Sequence, residues 1–370
     1  MTTIVVGAGV SGLAIALELL ERGLGPVTVL DRAGVGAGAS GMQPGGVRRQ
    51  WATRASCLLA DESYAYYRDF PGRLGTVAQA RLEECGYLFV GDDEETLREL
   101  AAGLEVQHAA GIPSRWLDPE AAAALVPGLN RDALRGAAWC ATDGYFDRPQ
   151  AVVEAFAEAV AARGGRIALG EARAVARDGA GWRVELRGGE AATGDTVVVA
   201  AAAATRTLVA PLGFDLPIVE EPRRLFFSEP IRERLLEPLV VTLDRGIAAK
   251  QLADGRLLAS DLRAEGTDAE AWRRRLRAHL VELLPALEFV ALPLVVEGLY
   301  DMTPDGQPVV DALEPGLWVA AGFSGHGFMV APGTARLVAD GLEGRRPPEW
   351  AGALRAGRFA GTLEREARVI

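Results

Sequence analysis

The chain has 370 residues, of which 49% are hydrophobic, and its formal net charge is −11. This length suits two closely joined domains with a sizeable core. Lys/Arg-rich blocks are missing from the sequence, which argues against nucleic acid or an anionic membrane as a partner. We expect no signal peptide, and the apolar runs are shorter than the roughly 20 residues of a membrane helix. The three cysteines are Cys57, Cys85 and Cys140. They are scattered and lack metal-ligand spacing, which indicates free thiols, no metal site and a cytoplasmic location.

The chain opens with a pattern typical of a strand–helix–strand unit. Residues 3–6 are a β-branched run that predicts a buried parallel strand. Residues 12–22 carry apolar side chains at helical spacing, and Gly23 ends this helix. Residues 27–30 predict the next strand, which leads into Asp31. The start of the chain therefore predicts a βαβ unit.

The following segments predict helices and strands in an interleaved order. A Gly-rich loop at 34–46 is long enough to be functional. Helices are predicted at 54–69, 93–110, 118–127, 149–163, 268–283 and 328–342. Strands are predicted at 81–90, 172–177, 182–187, 195–200, 218–228, 238–242, 246–252, 256–260, 294–300 and 317–321. Segments of the nucleotide-binding type thus lie at the beginning, middle and end of the chain.

This order predicts an α/β fold in which a Rossmann-like nucleotide-binding domain is interleaved with a substrate domain built on an antiparallel sheet. The predicted nucleotide-binding domain is discontinuous and comprises 1–80, 149–215 and 305–370. The predicted substrate domain comprises 81–148 and 216–304.

A Gly-rich motif lies between the first strand and the first helix. In Gly7-x-Gly9-x-x-Gly12, the first glycine permits a tight turn and the second lets a pyrophosphate approach the backbone. The third glycine allows close packing of helix and strand, and Asp31 can accept hydrogen bonds from a ribose. The motif alone is weak, but its complete strand–turn–helix context predicts dinucleotide binding. It does not distinguish NAD from FAD.

A second Gly-rich loop makes that distinction. Residues 322–327 connect a buried apolar strand to a helix and expose backbone N–H groups next to the positive helix end. Such a site suits the carbonyl edge of a flavin ring, where negative charge collects on reduction. The loop therefore favours FAD, although a plain strand-to-helix turn would have a similar composition.

At this point the sequence resembles the D-amino-acid oxidase superfamily, and most closely its sarcosine oxidase and glycine oxidase-like branch of FAD-dependent enzymes. The similarity extends nearly from end to end and follows the family's order. It rests on the stretches VVGAGVSGLAIALELLERG, VTVLDRAGVGAGASGMQPGGVRRQW, GYFDRPQAVVEAFAEAVAARGGRI, TVVVAAAAATRTL, GLYDMTPDGQPVVD and VAAGFSGHGFMVAPGTARLVADGL.

The resemblance implies which residues contact FAD. The ADP part would be bound by Gly7, Ala8, Gly9, Val10, Ser11, Gly12, Asp31 and Arg32. The flavin side would be lined by Ser40, Gly41, Met42 and Gln43, and the adenine would meet the backbone of Val175. The isoalloxazine would lie along Gly322, Gly325, His326, Gly327, Phe328 and Met329.

The resemblance also implies candidates for the active site. Arg48 lies where sarcosine oxidases place an arginine that grips the substrate carboxylate, a role that suits its planar fork. Tyr300 aligns with a tyrosine of the pocket, and His326 either contributes to the site or packs under the ring. Lys250 is the chain's single lysine. It is a candidate because the family carries an oxygen-activating lysine on a strand of the same sheet. The alignment places that family lysine nearer to Leu257 than to Lys250. We therefore expect Lys250 to face solvent.

Two departures from the family pattern affect the expected chemistry. The lysine that follows GFSGHGF in sarcosine oxidases is Met329 here, so carboxylate binding would depend on Arg48 alone. The cysteine that attaches FAD covalently in that family is Gly298 here. We therefore predict that FAD is held non-covalently.

The expected activity is oxidation of a small secondary amine or N-methyl amino acid. The resemblance implies hydride transfer to flavin N5, release of an imine that hydrolyses, and reoxidation by O2 with formation of H2O2. Three alternatives stay open: a D-amino-acid or proline dehydrogenase that passes electrons to a quinone or partner subunit, a non-catalytic flavoprotein assembly factor, and an NAD-dependent dehydrogenase. The expected partners are the substrate and O2, with no nucleic acid and no membrane, and we expect a monomer or small oligomer.

Overall fold

The computed structural model describes residues 1–77, 80–263, 266 and 268–369. Its strands, in chain order, are β1 (Thr3–Val6), β2 (Val27–Asp31), β3 (Gly46–Val47), β4 (Leu82–Glu83), β5 (Tyr87–Gly91), β6 (Arg115–Leu117), β7 (Gly136–Cys140), β8 (Gly144–Phe146), β9 (Arg166–Leu169), β10 (Ala172–Asp178), β11 (Gly181–Leu186), β12 (Ala191–Gly194), β13 (Thr196–Val199), β14 (Val219–Pro230), β15 (Leu239–Thr242), β16 (Ile247–Gln251), β17 (Arg256–Asp261), β18 (Leu294–Met302), β19 (Val309–Glu314) and β20 (Leu317–Ala321).

The α-helices connect and cover these strands. They are α1 (Val10–Glu21), α2 (Arg54–Arg68), α3 (Phe70–Leu74), α4 (Glu94–Ala109), α5 (Pro119–Leu125), α6 (Pro149–Ala162), α7 (Ala204–Val209), α8 (Ala269–Leu283) and α9 (Gly327–Leu342). Short 3-10 turns lie at Ala39–Gly41, Arg131–Ala133, Ala210–Leu212, Pro285–Leu287, Glu349–Leu354 and Ala356–Ala360.

A six-stranded sheet forms the first half of the fold, in the order β19-β20-β13-β1-β2-β9. Its neighbouring strands are parallel except for β19 and β20. Strands β1 and β13 are buried along their whole length, which explains their continuous apolar sequences. Helices α1, α6 and α9 contribute to the core on one face, and the antiparallel sheet β10-β11-β12 packs on the other. The predicted α/β class is confirmed.

An eight-stranded sheet forms the second half, in the order β18-β14-β17-β16-β15-β5-β7-β6. It is antiparallel except that β5 and β15 run parallel. These two strands come from separate stretches of the chain, so no hairpin dictates their relative direction. Leu276 and Leu280 of α8 pack in the core on one face of this sheet. The predicted antiparallel sheet therefore contains a parallel pair.

Several strands were missed because they are too short or too rich in small residues for a clear period of two. Strand β7 has the sequence GAAWC, and β8 has three residues. Strand β8 pairs with β3 and β4 in a small sheet of its own. Tyr145 of this small sheet packs with Tyr87 and Phe89 of β5, and Phe146 packs in the core that includes α1, α6 and α9.

Candidate functional site

The turn between β1 and α1 has glycines where a side chain would collide with the backbone. Gly7 has a φ of +114°, and a Cβ built on it would lie 2.2 Å from the carbonyl oxygen of Ala200. A Cβ on Gly12 would lie 2.0 Å from the carbonyl oxygen of Gly7. Gly9 differs, because a Cβ there would meet only Ser40 Oγ, at 3.0 Å. Internal packing thus requires Gly7 and Gly12, whereas Gly9 is bare on the side of a cavity that it lines.

Helix α1 begins at this cavity without a side-chain cap. Gly9 occupies the N-cap position, and the first turn contains no acidic residue. The N–H of Val10 donates to Ser40 Oγ at 3.0 Å. The N–H groups at a helix start carry partial positive charge, so this helix end suits an anionic group such as a pyrophosphate.

The cavity has a volume of about 320 Å³, within the range of roughly 300–1,000 Å³ that is common for small-molecule sites. It begins at the carboxyl edge of the six-stranded sheet and extends to the edge strand β18 of the large sheet. The first end is lined by Gly7, Gly9, Val10, Ser11, Asp31, Arg32 and residues 170–172. The second end, which we call the Tyr300 end, is lined by Met42, Gln43, Arg223, Leu225, Gly298, Leu299, Tyr300, Asp301, Phe323, Gly325, Gly327 and Phe328.

Asp31 both organises the turn and faces the cavity. Its Oδ2 accepts the N–H of Ala8 at 2.8 Å, and its Oδ1 accepts the N–H groups of Ala33 and Gly34 at 2.8 and 2.9 Å. A carboxylate has about four acceptor positions. Asp31 can therefore accept a further hydrogen bond from a hydroxyl in the cavity.

Gln43 presents an unused donor in the cavity wall. Its Oε1 accepts the N–H of Gly45 at 2.5 Å. Its Nε2 is buried and has no hydrogen-bond partner among the described residues. Because an unpaired buried donor is costly, this position fits a ligand that supplies an acceptor.

The loop before α9 is held by β18. Asp301 Oδ2 accepts the N–H of Gly322 at 2.7 Å, and its carbonyl oxygen accepts the N–H of Ser324 at 2.9 Å. Burial raises the pKa of Asp301 to about 6, although the backbone N–H groups of the loop oppose this shift. Gly325 has a φ of +85°, and a Cβ on it would lie 2.0 Å from Cε2 of Tyr300. The ring of Tyr300 therefore lies directly against the backbone of the loop.

The residues predicted to bind the cofactor or substrate divide into two groups. Those that line the cavity are Gly7, Gly9, Val10, Ser11, Asp31, Arg32, Ser40, Met42, Gln43, Tyr300, Gly325, Gly327 and Phe328. Those that the structure places outside its lining are Ala8, Gly12, Gly41, Arg48, Val175, Lys250, Gly322, His326 and Met329. The side chains of Val175 and Met329 pack in hydrophobic cores. The predicted contact of Val175 with the adenine is made by its backbone and stays a prediction. The nearby segment 170–172, which lines the cavity, is a further candidate for this contact.

Arg48 is fully buried away from the cavity. Its Nη1 donates to the carbonyl oxygen of Gln50 at 2.6 Å, and its Nη2 donates to that of Arg368. The guanidinium stacks over Trp51 at 3.7 Å, and Nε2 of His326 lies 3.5 Å from its Nη2. The structure thus brings Arg48 and His326 together, and Nη1 and Nη2 of Arg48 each donate to a backbone carbonyl oxygen. Because Arg48 also lies outside the cavity wall, we propose a structural role for it in place of the predicted carboxylate contact.

Lys250 is buried, so the expectation that it faces solvent is wrong. Its Nζ lies 3.9 Å from the ring centroid of Tyr145 and 3.4 Å from the carbonyl oxygen of Phe146. Burial lowers the pKa of Lys250 to about 7, and the charge of Asp147 opposes this only partly. These contacts place the Lys250 side chain against the small sheet and outside the cavity wall.

The buried amine predicts a pH-dependent stability. In the unfolded chain a lysine keeps its proton up to about pH 10, whereas folded Lys250 loses it near pH 7. The unfolded state binds more protons within this window, so the unfolding free energy rises with pH by up to about 1.4 kcal/mol per pH unit. We expect Lys250→Met to be favoured over wild type most strongly at about pH 7, with a difference that shrinks toward pH 10. Urea denaturation of both proteins across this range tests this, and parallel pH profiles would contradict it.

Two residues at the Tyr300 end were missed in the sequence, Arg223 and Asp301. A usable signal existed for Arg223. The period of two in β14 places Glu221, Arg223 and Leu225 on one face, and Arg223 and Leu225 both line the cavity. Asp301 carried no comparable local signal, because its role depends on the distant loop at Gly322.

A Rossmann-like half, a Gly-rich turn at a helix start and a cavity that runs on to a second sheet together define a dinucleotide-dependent oxidoreductase. The family model "DAO: FAD dependent oxidoreductase" matches residues 2–341. Because this match covers most of the sequence, the chain belongs to the DAO family of FAD-dependent oxidoreductases.

Similar proteins of known name span nearly the whole chain. A glycine oxidase of Pseudomonas aeruginosa is 30% identical over 366 residues, which cover 93% of this chain and 95% of that protein. The crystal structure of L-proline dehydrogenase from P. horikoshii has a TM-score of 0.89 at 26% identity and covers 98% of both chains. That of glycine oxidase from Geobacillus kaustophilus has a TM-score of 0.85 at 25% identity and covers 97% of this chain and 99% of that one.

The cavity residues fit FAD. The start of α1, where the N-cap residue Gly9 has no side chain, has room for a pyrophosphate. Asp31 can accept a hydrogen bond from a ribose, and the unpaired Gln43 Nε2 can donate to an acceptor of the flavin. In the part of the chain that the structure describes, none of the helices combines the length and apolar composition needed to cross a membrane.

Proposed function

We propose that this protein oxidises the CH–NH bond of a small amine or amino acid, with secondary amines and N-methyl amino acids as the leading substrate class. The observation that carries the proposal is the single cavity that joins the dinucleotide turn at Gly9 to the aromatic Tyr300 end. Relatives named as a glycine oxidase and an L-proline dehydrogenase support an amino-acid substrate.

The Tyr300 end is suited to a neutral amine. Tyr300, Phe323 and Phe328 line it, and Phe328 is held by Tyr67, whose hydroxyl donates to the Phe328 carbonyl oxygen at 2.5 Å. An apolar wall lowers the pKa of a bound amine and so favours the form with a free lone pair. Burial also raises the pKa of Tyr300, which keeps its phenol protonated. These side chains would orient the substrate and exclude water.

FAD, when bound, supplies the acceptor for the hydride that leaves the carbon next to nitrogen. The resulting imine is hydrolysed to a carbonyl product and an amine. A strong base is not required, because the amine is neutral before reaction. Asp301 is an acid of the cavity wall at this end, but its Oδ2 accepts the N–H of Gly322 and so serves the loop.

FAD is held without a covalent bond in this proposal. Cysteines do not occur among the described residues that line the cavity, and Gly298 occupies the wall near Met42. Gln43, Ser40 and the loop around Gly325 would hold the flavin by hydrogen bonds and packing.

Reoxidation by O2 with release of H2O2 is the leading proposal, and a dehydrogenase that uses a quinone or partner subunit is the second candidate. The similarity to L-proline dehydrogenase, at a TM-score of 0.89, favours keeping this second candidate.

An anaerobic amine panel tests the proposed function. Wild-type protein is mixed without oxygen with N-methylglycine, glycine, proline and D-alanine, and the visible flavin absorption is followed. We expect at least one of these to bleach the flavin, and air to restore the colour with formation of H2O2. Bleaching that persists in air but reverses with a quinone would favour the dehydrogenase. A flavin that no amine bleaches would contradict the proposal and support a non-catalytic flavoprotein.

A further inference from the structure

We infer that Arg223 binds the carboxylate of the substrate and that Glu221 is its ion partner when no substrate is present. The inference rests on the proposed function, because it assigns a role at the substrate end of the same cavity. It replaces Arg48, whose guanidinium donates to buried carbonyl oxygens outside the cavity wall.

Pairing of β14 with β18 aims Arg223 at the cavity. Glu221 pairs across the two strands with Tyr300, and Arg223 pairs with Gly298. A Cβ on Gly298 would meet only Met42, at 3.8 Å, so the space next to Arg223 on the paired strand is open. The guanidinium carbon lies 5.3 Å from the ring centroid of Tyr300. Arg223 therefore borders open space beside the aromatic ring that we place against the substrate.

Arg223 has donors to offer and an ion partner that can leave. An arginine has five N–H donors. Among the described residues, Arg223 Nη1 donates to the Pro222 carbonyl oxygen at 2.9 Å, and Nη2 donates to Glu221 Oε2 at 2.9 Å. The Arg223 side chain is 16% exposed, whereas that of Glu221 is 45% exposed. Glu221 can turn into water at little cost, because a solvated ion pair contributes little.

The other charged residues of the described cavity wall do not compete for this role. Asp31, Arg32 and Glu171 lie at the dinucleotide end, and Asp301 accepts the N–H of Gly322. Arg223 is thus the cation that the described wall places at the Tyr300 end. A planar guanidinium there suits a carboxylate, which it can bind through two parallel hydrogen bonds.

Acetate tests the inference because it carries a carboxylate and no amine. The FAD-loaded protein is titrated with sodium acetate at constant ionic strength, and the shift of the visible flavin absorption gives a Kd. We expect Arg223→Ala to raise this Kd roughly 10- to 100-fold, and Arg223→Lys to give an intermediate value. Glu221→Gln should lower the Kd several-fold, because it removes the competing anion.

Two controls separate the charge from general damage. Arg256→Ala removes a half-exposed arginine that pairs with Asp254 on the same sheet outside the cavity wall, and should leave the Kd unchanged. Acetamide, the neutral analogue, should bind wild type and Arg223→Ala equally. If Arg223→Ala fails to fold, Arg223→Lys and Glu221→Gln carry the test.

Three results would overturn the inference: no saturable response of the wild type to acetate, an Arg223→Ala Kd within about twofold of wild type, or an equal loss of acetamide binding. Failure of the proposed function would give a different result. In that case acetate would still bind through Arg223, but no amine in the anaerobic panel would bleach the flavin. The carboxylate site would then stand without the catalytic role.

Discussion

Replacing Gly9 with alanine is expected to remove most of the bound FAD while the protein stays folded. Within the protein a Cβ at Gly9 meets only Ser40 Oγ, at 3.0 Å, and a hydroxyl can rotate away. Gly9 also lines the cavity, so an added methyl group is expected to narrow the space through which a pyrophosphate approaches the start of α1. Overpacking of this kind costs roughly 1–3 kcal/mol, so the Kd for FAD should rise about 10- to 100-fold.

Flavin content per protein and titration of the apoprotein with FAD measure this effect. Gly357→Ala is a matched control, because a Cβ there has no neighbour within 4 Å and the residue lies outside the cavity wall. Gly7→Ala should instead prevent folding, since its Cβ would lie 2.2 Å from the Ala200 carbonyl oxygen. A Gly9→Ala protein with full FAD content would show that the pyrophosphate does not lie at this turn.

Replacing Arg48 with alanine is expected to lower the free energy of unfolding by about 3 kcal/mol or more. The change empties a fully buried site against Trp51 and removes the donors that serve the carbonyl oxygens of Gln50 and Arg368. Arg48→Met should lower the free energy of unfolding by less, because methionine refills part of the space. It also removes a buried charge, whose cost is indicated by the lowered pKa of Arg48.

Urea denaturation measures the stability of both variants, and the acetate titration tests whether either affects the substrate end. We expect the folded fraction of Arg48→Ala to bind acetate as wild type does. A stable Arg48→Ala protein with weakened acetate binding would return Arg48 to the role of carboxylate ligand.

Much of the fold could be predicted from local patterns. The βαβ unit at the start of the chain has a buried strand, an amphipathic helix, and glycines where two backbone segments meet. In the structure, β1, α1 and β2 lie within two residues of their predicted bounds. The direction of β5 against β15 could not be predicted, because it depends on how two separate stretches of the chain meet.

The candidate site was less predictable, because it depends on pairing between distant strands. Arg223 and Arg224 are neighbours with the same side chain, and local sequence does not distinguish them. The register of β14 on β18 sets Arg223 across from Gly298 at the cavity, whereas Arg224 forms an ion pair with Glu297 and lies over Trp272. For the same reason the burial of Lys250 under Tyr145 became visible only in the fold.

A crystal structure of the purified, yellow protein with acetate would show whether the cavity binds FAD and a carboxylate. We expect FAD along the whole cavity, with its pyrophosphate at Gly9, a ribose at Asp31 and the flavin between Gly325 and Tyr300. We also expect no covalent bond between FAD and the protein, and acetate on Arg223. Density for a nicotinamide dinucleotide, or for a flavin outside the Tyr300 end, would refute the proposed binding mode.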